Sequence, residues 1–263
     1  MADHTHHGDE IHFGLIGHPV DHSFSPDYFH AKFERLGLAR FTYGLYDLPQ
    51  IDGWQALATM RSNWGGFNVT APHKQSIMDH LDEISTEARA IGAVNVVVRC
   101  EEPGETPRWR GHNTDAIGFQ KSLAPFLEGR HERALILGTG GSSKAVVYAL
   151  EQLGITCLRV SRTAAHGDCT YSDLTATGLA NFPLIVHCTP VGMHPEVGSM
   201  VDLPLDGLGE GHLLVDLVYS PAETELMRQG ALRGATVIGG LSMLHLQADA
   251  AWELWRKRLN LDN

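Results

Sequence analysis

The sequence predicts an α/β protein made of two units, and three observations lead to this fold class. Short apolar runs rich in β-branched residues alternate with amphipathic segments of helical length, which is typical of a mostly parallel sheet. A glycine-rich turn lies between one such run and a helical segment, as in a Rossmann-type, doubly wound dinucleotide-binding domain. The length of 263 residues is enough for one large domain or two small ones.

The first predicted unit covers residues 1–113 and begins with a polar, His-rich tail over 1–10. A Ser25-Pro26 pair looks like a helix N-cap followed by proline at the first helical position. A polar turn over 101–107 is expected within a hairpin. The predicted strands are 11–17, 41–46, 67–70 and 93–99, and the predicted helical segments are 25–36, 51–60 and 73–91.

The second predicted unit covers residues 114–239, and the remaining residues 240–263 form a helix that returns to the first unit. The boundary is placed near residues 113–115, where a polar cluster precedes a helical pattern. Its predicted strands are 134–137, 156–160, 184–187, 213–217 and 235–238, and its predicted helices are 115–127 and 142–153, followed by the final helix at 241–257.

Charge and composition narrow the expected partners and compartment. A net charge of −11 argues against nucleic acid, because phosphate binding favours a basic surface. No apolar run approaches the roughly 20 residues that span a bilayer, and the N-terminus lacks the pattern of a secretory signal. The four cysteines form no CxxC pair, which indicates reduced thiols in a cytoplasmic protein. No metal site is predicted, and a small anionic ligand remains compatible with this charge.

The glycine-rich turn is a candidate phosphate-binding loop. Its glycines allow a tight turn and close approach of a pyrophosphate, which backbone N–H groups and the following helix N-terminus can bind. Glycine-rich turns also occur as plain connections, so the pattern alone leaves both interpretations open. As a cofactor loop it consists of Gly138, Thr139, Gly140, Gly141, Ser142 and Ser143.

The residues after the next strand indicate which dinucleotide is bound. An acidic residue there binds the ribose 2′-hydroxyl of NAD, whereas an arginine accommodates the 2′-phosphate of NADP. This chain has Ser161, Arg162 and Thr163 at that point and no acid. Arg162 is therefore predicted to pair with the 2′-phosphate, the alternative being an ordinary surface arginine.

Lys74 and Asp115 are the candidate proton-transfer residues. Lys74 follows a strand-like run and a proline, beside amide and hydroxyl groups, and Asp115 begins a helix after Asn113 and Thr114. A lysine acts well as an acid or base when burial or neighbours tune it, and a carboxylate can complete a proton path. The alternative is that Lys74 is a surface charge and Asp115 a first-turn acid favoured by the helix dipole.

Six segments in the same order make the chain resemble the shikimate dehydrogenase family over nearly its whole length. They are 17–26 (GHPVDHSFSP), 68–74 (NVTAPHK), 92–95 (GAVN), 111–115 (GHNTD), 138–143 (GTGGSS) and 240–247 (GLSMLHLQ). The resemblance implies reversible reduction of 3-dehydroshikimate to shikimate by NADPH, in the biosynthesis of chorismate and aromatic amino acids. It also implies a substrate domain, a dinucleotide domain and a C-terminal helix returning to the former.

Residue roles follow from the same resemblance. Lys74 and Asp115 correspond to the catalytic pair, and Ser23 and Ser25 to the serines that hold the substrate carboxylate. The remaining implied substrate ligands are Thr70, Asn95, Tyr219 and Gln247, and Gly240 is the further implied cofactor contact. Serine hydroxyls suit a carboxylate, and a lysine can give a proton to a forming alkoxide.

Two departures from the family pattern keep alternatives open. His166 stands where a second basic residue of the NADP-binding segment is common, which favours a smaller preference for NADP over NAD. His73 stands where the family most often has Phe or Tyr, and Phe24 where Lys is common. The alternatives are a quinate/shikimate dehydrogenase using NAD and a non-catalytic ligand-binding homologue. The protein is expected to be a monomer or a homodimer.

Overall fold

The computed structural model describes residues 10–60, 63–100 and 106–261, and the chain divides into two compact units. The first contains the described residues up to Thr114 together with those from Ala250 onward, and the second is Asp115–Asp249. The His-rich tail over 1–9 and residues 101–105 of the predicted polar turn lie outside the described residues.

The first unit is built on a six-stranded sheet. Its strands are β1 (Ile11–Gly17), β2 (Phe41–Asp47), β3 (Gly66–Val69), β4 (Glu83–Ile84), β5 (Val96–Arg99) and β6 (Trp109–His112). The order is β2-β1-β3-β5-β6-β4. Strand β5 runs antiparallel to both of its neighbours, and the other pairs are parallel. The mostly parallel sheet predicted from the sequence is therefore interrupted at β5, which pairs with β6 as the expected hairpin.

Three helices belong to the first part of this unit: α1 (Ser25–Arg35), α2 (Trp54–Met60) and α3 (Thr86–Ile91). The helical prediction for 73–91 is wrong over most of its length, because turns, a 3₁₀ helix at Ser76–His80 and strand β4 precede α3. The predicted N-cap is displaced by one residue. Phe24 caps α1 without a side-chain hydrogen bond, and Ser25 is already helical.

The C-terminal part of the last helix, α8 (Leu241–Arg258), belongs to the core of the first unit. The ring of Trp255 lies 4.7 Å from Phe13 and 5.3 Å from Phe29, centroid to centroid. Its indole N–H donates to the Val97 carbonyl at 3.1 Å, so this large buried side chain leaves no unsatisfied donor. A Cβ at Gly66 would come within 2.3 Å of the indole nitrogen, and only glycine allows this approach.

The second unit is built on six parallel strands. They are β7 (Arg133–Leu137), β8 (Thr156–Ser161), β9 (Cys169–Thr170), β10 (Leu184–His187), β11 (Leu213–Asp216) and β12 (Thr236–Gly239). The order β9-β8-β7-β10-β11-β12 is that of a doubly wound dinucleotide-binding sheet, and its direction reverses between β7 and β10. Ligands of such sheets bind outside the carboxyl ends of the strands at this reversal, which places the glycine turn after β7 at the expected position.

The helices of the second unit are α4 (Asp115–Leu123), α5 (Gly141–Gln152), α6 (Ala176–Leu179), α7 (Glu225–Leu232) and the first part of α8. Strand β9 and helices α6 and α7 are absent from the sequence-based prediction, the first two because they are too short to show a periodic pattern. Helices α4 and α8 approach closely. A Cβ at Gly118 would lie 2.8 Å from the backbone nitrogen of Gln247.

No helix in the described part of the chain is both long enough and apolar enough to cross a membrane. The four cysteines are free thiols.

Candidate active site

A chain of hydrogen bonds connects the predicted serines of the first unit with its central strands. The Ser25 amide donates to the Ser23 hydroxyl at 3.2 Å, and the Ser25 side chain is hydrogen-bonded to the Tyr43 phenol. Tyr43 donates to Asn68 Oδ1 at 2.7 Å, and Asn68 Nδ2 donates to the Asn95 carbonyl at 3.3 Å. Burial raises the pKa of Tyr43, so its phenol remains a protonated donor at neutral pH. These hydrogen bonds hold both serines at one end of the series and the Asn95 carbonyl at the other.

The turn after β3 carries Thr70 and Lys74, and several backbone hydrogen bonds hold it. The Thr70 amide donates to the Ile16 carbonyl at 2.8 Å, and the Thr70 carbonyl accepts from the His73 amide at 2.9 Å. The Lys74 carbonyl accepts from the Val94 amide at 2.7 Å, which ties the lysine to the residue preceding Asn95. Lys74 itself is half-buried, as a residue at the edge of a binding site would be.

The imidazole of His73 forms a second connection for this turn. Its Nε2 donates to the Leu48 carbonyl at 2.5 Å, and the side chain is buried. The His18 ring and the Asp47 carboxylate lie 2.6 Å apart, which ties the loop after β1 to the end of β2. His73 thus ties the turn after β3 to Leu48, the residue that follows β2.

Asn95 also holds the last residue of the first unit. Its Oδ1 accepts from the Thr114 amide at 2.7 Å, and its Nδ2 donates to the Thr114 hydroxyl at 3.0 Å. Asn113, one residue earlier, donates to the Ala93 carbonyl at 2.9 Å. The side chains of Asn95 and Asn113 therefore fix the two residues that lead into Asp115. Asp115 is the first residue of α4 and is 4% exposed.

The glycine turn of the second unit has the geometry of a phosphate-binding loop. Gly138 adopts φ +112°, a conformation that disfavours any residue with a side chain. The Ser143 hydroxyl donates back to the Gly138 carbonyl at 2.7 Å and closes the turn. Helix α5 begins at Gly141, so the positive end of its dipole lies at the turn, where an anion is favoured.

The segment after β8 contains no carboxylate that would bind a ribose 2′-hydroxyl. The Ser161 hydroxyl is internally bonded, accepting from the Thr163 amide at 3.1 Å and donating to the Thr163 carbonyl. Arg162 is exposed. Its charge reaches Tyr171, where burial raises the pKa of the phenol and Arg162 lowers it. An exposed guanidinium at this position suits a 2′-phosphate.

Three further predicted residues lie in the second unit. Tyr219 follows β11 and is half-buried, and burial raises the pKa of its phenol. Gln247 lies in α8, where its Nε2 donates to the Leu244 carbonyl at 2.9 Å. Gly240 is buried, and a Cβ there would meet the Leu217 carbonyl oxygen at 2.2 Å, so the residue is sterically restricted to glycine.

The predicted site residues therefore form two groups, one in each unit. The first group consists of Ser23, Ser25, Thr70, Lys74 and Asn95. The second group consists of Asp115, Gly138, Thr139, Gly140, Gly141, Ser142, Ser143, Ser161, Arg162, Thr163, Tyr219, Gly240 and Gln247. Among the described residues, no cluster of three or more His, Cys, Asp or Glu side chains could hold a metal ion.

Several polar residues around these groups were missed by the sequence analysis. Tyr43 lies inside an apolar strand pattern, and Asn68 enters the sequence analysis only as part of the segment 68–74, without a role of its own; their connection spans 25 residues. His187 and Asp216 form a buried pair at the carboxyl ends of β10 and β11. A polar residue that ends an apolar strand run was the signal that could have identified this pair.

Comparison with known proteins agrees with this architecture. The family model "Shikimate dehydrogenase substrate binding domain" matches residues 15–97. The shikimate dehydrogenase (NADP(+)) of Shouchella clausii is 36% identical over 262 residues, which cover 94% of this chain and 93% of the relative. The structure of shikimate 5-dehydrogenase from Thermus thermophilus, in complex with NADP(H) and shikimate, is similar with a TM-score of 0.82 and 33% identity, covering 94% of each chain.

A third relative bears on cofactor choice. Quinate dehydrogenase from Corynebacterium glutamicum, solved in complex with NAD, has a TM-score of 0.82 and 26% identity and covers 95% of this chain and 94% of its own. The fold and the glycine turn define a Rossmann-type dehydrogenase architecture. The chain belongs to the shikimate dehydrogenase family. The family resemblance and the fold class predicted from the sequence are confirmed.

Proposed function

We propose that this protein is an NADP-dependent shikimate dehydrogenase, an oxidoreductase that acts on a CH–OH group. It interconverts 3-dehydroshikimate and shikimate in the biosynthesis of chorismate and aromatic amino acids. The observation that carries the proposal is the match over 94% of the chain to a relative named shikimate dehydrogenase (NADP(+)), with the candidate proton-transfer residues Lys74 and Asp115 both present. A ligand-binding homologue without activity would have no use for such a pair.

The residues of the second unit fit NADP. The turn from Gly138 to Ser143 and the N-terminus of α5 offer backbone N–H groups to the pyrophosphate. The dinucleotide, when bound, supplies or accepts the hydride. Arg162 offers a guanidinium to the 2′-phosphate, Ser161 and Thr163 flank it, and Gly240 lets the chain turn closely against Leu217. Thr139, Gly140, Gly141 and Ser142 complete the proposed contact set.

Substrate binding is assigned to polar groups that donate to a carboxylate and to ring hydroxyls. Ser23 and Ser25 bind the carboxylate, and their backbone is already ordered by the hydrogen bond between them. Thr70 and Asn95 from the first unit bind ring hydroxyls. Tyr219 and Gln247 from the second unit contribute further hydroxyl or amide contacts. A site that is ordered before the ligand arrives loses less entropy on binding.

Lys74 and Asp115 are the proposed catalytic residues. During reduction, the carbonyl carbon gains a hydride and its oxygen becomes an alkoxide, which needs a proton. The Lys74 ammonium donates this proton and stabilises the developing negative charge, and in the reverse direction the amine accepts it. Asp115 is assigned as the second member of the catalytic pair, the carboxylate that completes the proton path.

A second candidate function is quinate/shikimate dehydrogenation with NAD. Two observations favour it: only Arg162 is basic where relatives often have two basic residues, and the NAD-bound quinate dehydrogenase has the same fold. The exposed segment from Arg162 to His166 offers one guanidinium and no carboxylate. One guanidinium without a carboxylate supports a modest preference for NADP over NAD, so this second candidate ranks below the first.

The domain roles, oligomeric state and location are part of the same proposal. Residues 1–113 form the substrate domain, 114–239 the NADP-binding domain, and 240–263 the helix that returns to the former. The proposed partners of the protein are small molecules, and the protein is proposed to act in the cytoplasm as a monomer or homodimer. Size-exclusion chromatography with light scattering distinguishes the two states.

Initial rates with shikimate and with quinate, each in the presence of NAD⁺ and of NADP⁺, test the function. The shikimate–NADP⁺ pair is expected to give the highest kcat/KM. A higher kcat/KM for quinate with NAD⁺ favours the second candidate, and absence of turnover with all four combinations contradicts an enzymatic role.

A further inference from the structure

A buried polar network lies at the carboxyl ends of β10 and β11. His187 ends β10 and Asp216 ends β11, and their exposed fractions are 1% and 0%. Both oxygens of Asp216 accept hydrogen bonds. Oδ1 accepts from His187 Nδ1 at 2.9 Å and from the Val218 amide at 2.9 Å, and Oδ2 accepts from the Thr224 hydroxyl at 2.7 Å. The Val218 amide can only donate, so Asp216 Oδ1 is an acceptor, and the proton between Oδ1 and His187 lies on Nδ1.

The other ring nitrogen of His187 connects the network to the glycine turn. The Thr189 hydroxyl therefore donates to His187 Nε2 at 2.5 Å, and it accepts from the Val191 amide at 3.3 Å. The methyl group of Thr189 faces Gly138, where an added Cβ would come within 2.9 Å of it. The rotamer of Thr189 is therefore set by His187, and its methyl group defines how closely the first glycine of the turn approaches β10.

Asp216 connects the same network to a second segment. The Val218 amide that it holds precedes Tyr219, and the Val218 carbonyl accepts from the Gly240 amide at 3.2 Å. One buried carboxylate thus holds Val218, the residue that precedes Tyr219 and accepts from the Gly240 amide. The glycine turn and the segments that carry Tyr219 and Gly240 are thus all connected to His187 and Asp216. Neither of these two side chains has a proposed ligand contact of its own.

We propose that His187 and Asp216 are positioning residues that hold the cofactor-binding edge of the second unit in its binding conformation. The inference rests on the proposed function, since it names what orders the proposed NADP contacts. A buried carboxylate with its hydrogen-bond partners is an inefficient way to add stability, because well-packed apolar residues of similar volume often do as well. Ordering loops before ligand arrival, in contrast, directly lowers the cost of binding.

The Thr189→Val variant tests the inference most directly. Valine keeps the methyl group against Gly138 and removes only the hydroxyl that bonds to His187. The Kd for NADP⁺, measured by fluorescence titration of the full-length protein, is expected to rise about tenfold for the loss of one such ordering hydrogen bond. Thr175→Ala removes an exposed N-cap of α6 in the same unit and serves as the control, with lower thermal stability and unchanged Kd.

His187→Asn supplies an independent check. The shorter side chain retains a donor but does not span the distance to Thr189, so it breaks the same hydrogen bond from the other side. The Kd of the double variant Thr189→Val/His187→Asn for NADP⁺ is therefore expected to equal that of whichever single variant binds less tightly. If His187→Asn does not fold, Thr189→Val against Thr175→Ala decides the question.

The outcomes separate this inference from the proposed function. If the wild-type protein binds NADP⁺ and Thr189→Val binds it with the same Kd, the network is purely structural, whatever the melting temperature of the variant. That result overturns the inference and leaves the proposed function intact. Additive losses in the double variant also contradict it. Failure of the wild-type protein to bind NADP⁺ overturns the proposed function together with the inference.

Discussion

Asn95 binds Thr114 with both atoms of its side-chain amide, at 2.7 Å to the threonine amide and 3.0 Å to its hydroxyl. Thr114 directly precedes Asp115, so a residue assigned to substrate binding also fixes the backbone beside a proposed catalytic carboxylate. The two residues are 4% exposed or less, and water cannot replace the hydrogen bonds if one partner is removed.

Replacing Asn95 by alanine is expected to lower both stability and turnover. The free energy of unfolding should fall by about 1–3 kcal/mol, because the Thr114 amide is left buried without an acceptor. Asn181→Ala, at an exposed position, should change it by less than about 0.5 kcal/mol. Denaturant unfolding measures both, and equal effects in the two variants would count against the Asn95–Thr114 contact as a source of stability.

Replacing Lys74 by alanine is expected to reduce kcat about 10²–10⁴-fold, because the alkoxide loses its proton donor. The KM for shikimate should change much less. Steady-state kinetics with shikimate and NADP⁺ measure both constants. Lys121→Ala removes an exposed lysine of α4 and is the matched control with wild-type kcat. A Lys74→Ala enzyme within a few-fold of the wild-type kcat would remove Lys74 from the mechanism.

Replacing Ser23 by alanine is expected to raise the KM for shikimate and to leave kcat closer to wild type than Lys74→Ala does. The serine contact to the carboxylate is the same in the ground state and the transition state, so its loss weakens both equally. One hydrogen bond to a charged group is worth about 1.5–3 kcal/mol, or roughly 10- to 150-fold in KM. An unchanged KM would show that Ser23 only caps the Ser25 amide.

Replacing Arg162 by alanine is expected to weaken NADP⁺ binding and leave NAD⁺ binding nearly unchanged, because only NADP⁺ has the 2′-phosphate. The effect should be smaller than in relatives with two basic residues. Titration of both cofactors against wild type, Arg162→Ala and the exposed control Arg130→Ala measures it. Equal weakening of both cofactors, or equal wild-type affinities, would make Arg162 an ordinary surface residue.

His112 is expected to make stability fall in mild acid. Burial, and secondly the charge of Arg110, lowers the pKa of His112 from 6.5 to about 4. The unfolded chain binds a proton below pH 6.5, whereas the folded protein does so only near pH 4. The contribution of the neutral imidazole is therefore present above pH 6.5 and is lost as the pH falls toward 4.

His112→Gln is expected to remove this dependence. The variant should lose about 1–2 kcal/mol less unfolding free energy than wild type between pH 7 and pH 4.5, a range discounted because the imidazole is partly exposed to solvent. Denaturant unfolding at both pH values measures the difference. Parallel pH profiles for the two proteins would mean that other groups cause the acid sensitivity.

The sequence by itself determined the features that depend on neighbouring residues. The glycine turn after β7 needed only the apolar strand run before it and the helical pattern after it, and both were found within one residue of their expected bounds. The order of six family segments identified the family. Lys74 and Asp115 were found as candidates in the same way, and their roles remain proposals.

Only the tertiary structure decided which distant side chains meet. His187 and Asp216 are 29 residues apart, and Tyr43 and Asn68 are 25 apart; each pair is joined because adjacent or nearby strands bring them to one level of a sheet. The segment from His73 to Ser85 has apolar residues at helical spacing, yet pairing of β4 with β6 holds part of it extended. Local periodicity records which residues are buried, but the partners that satisfy buried polar groups are chosen by strand order and register.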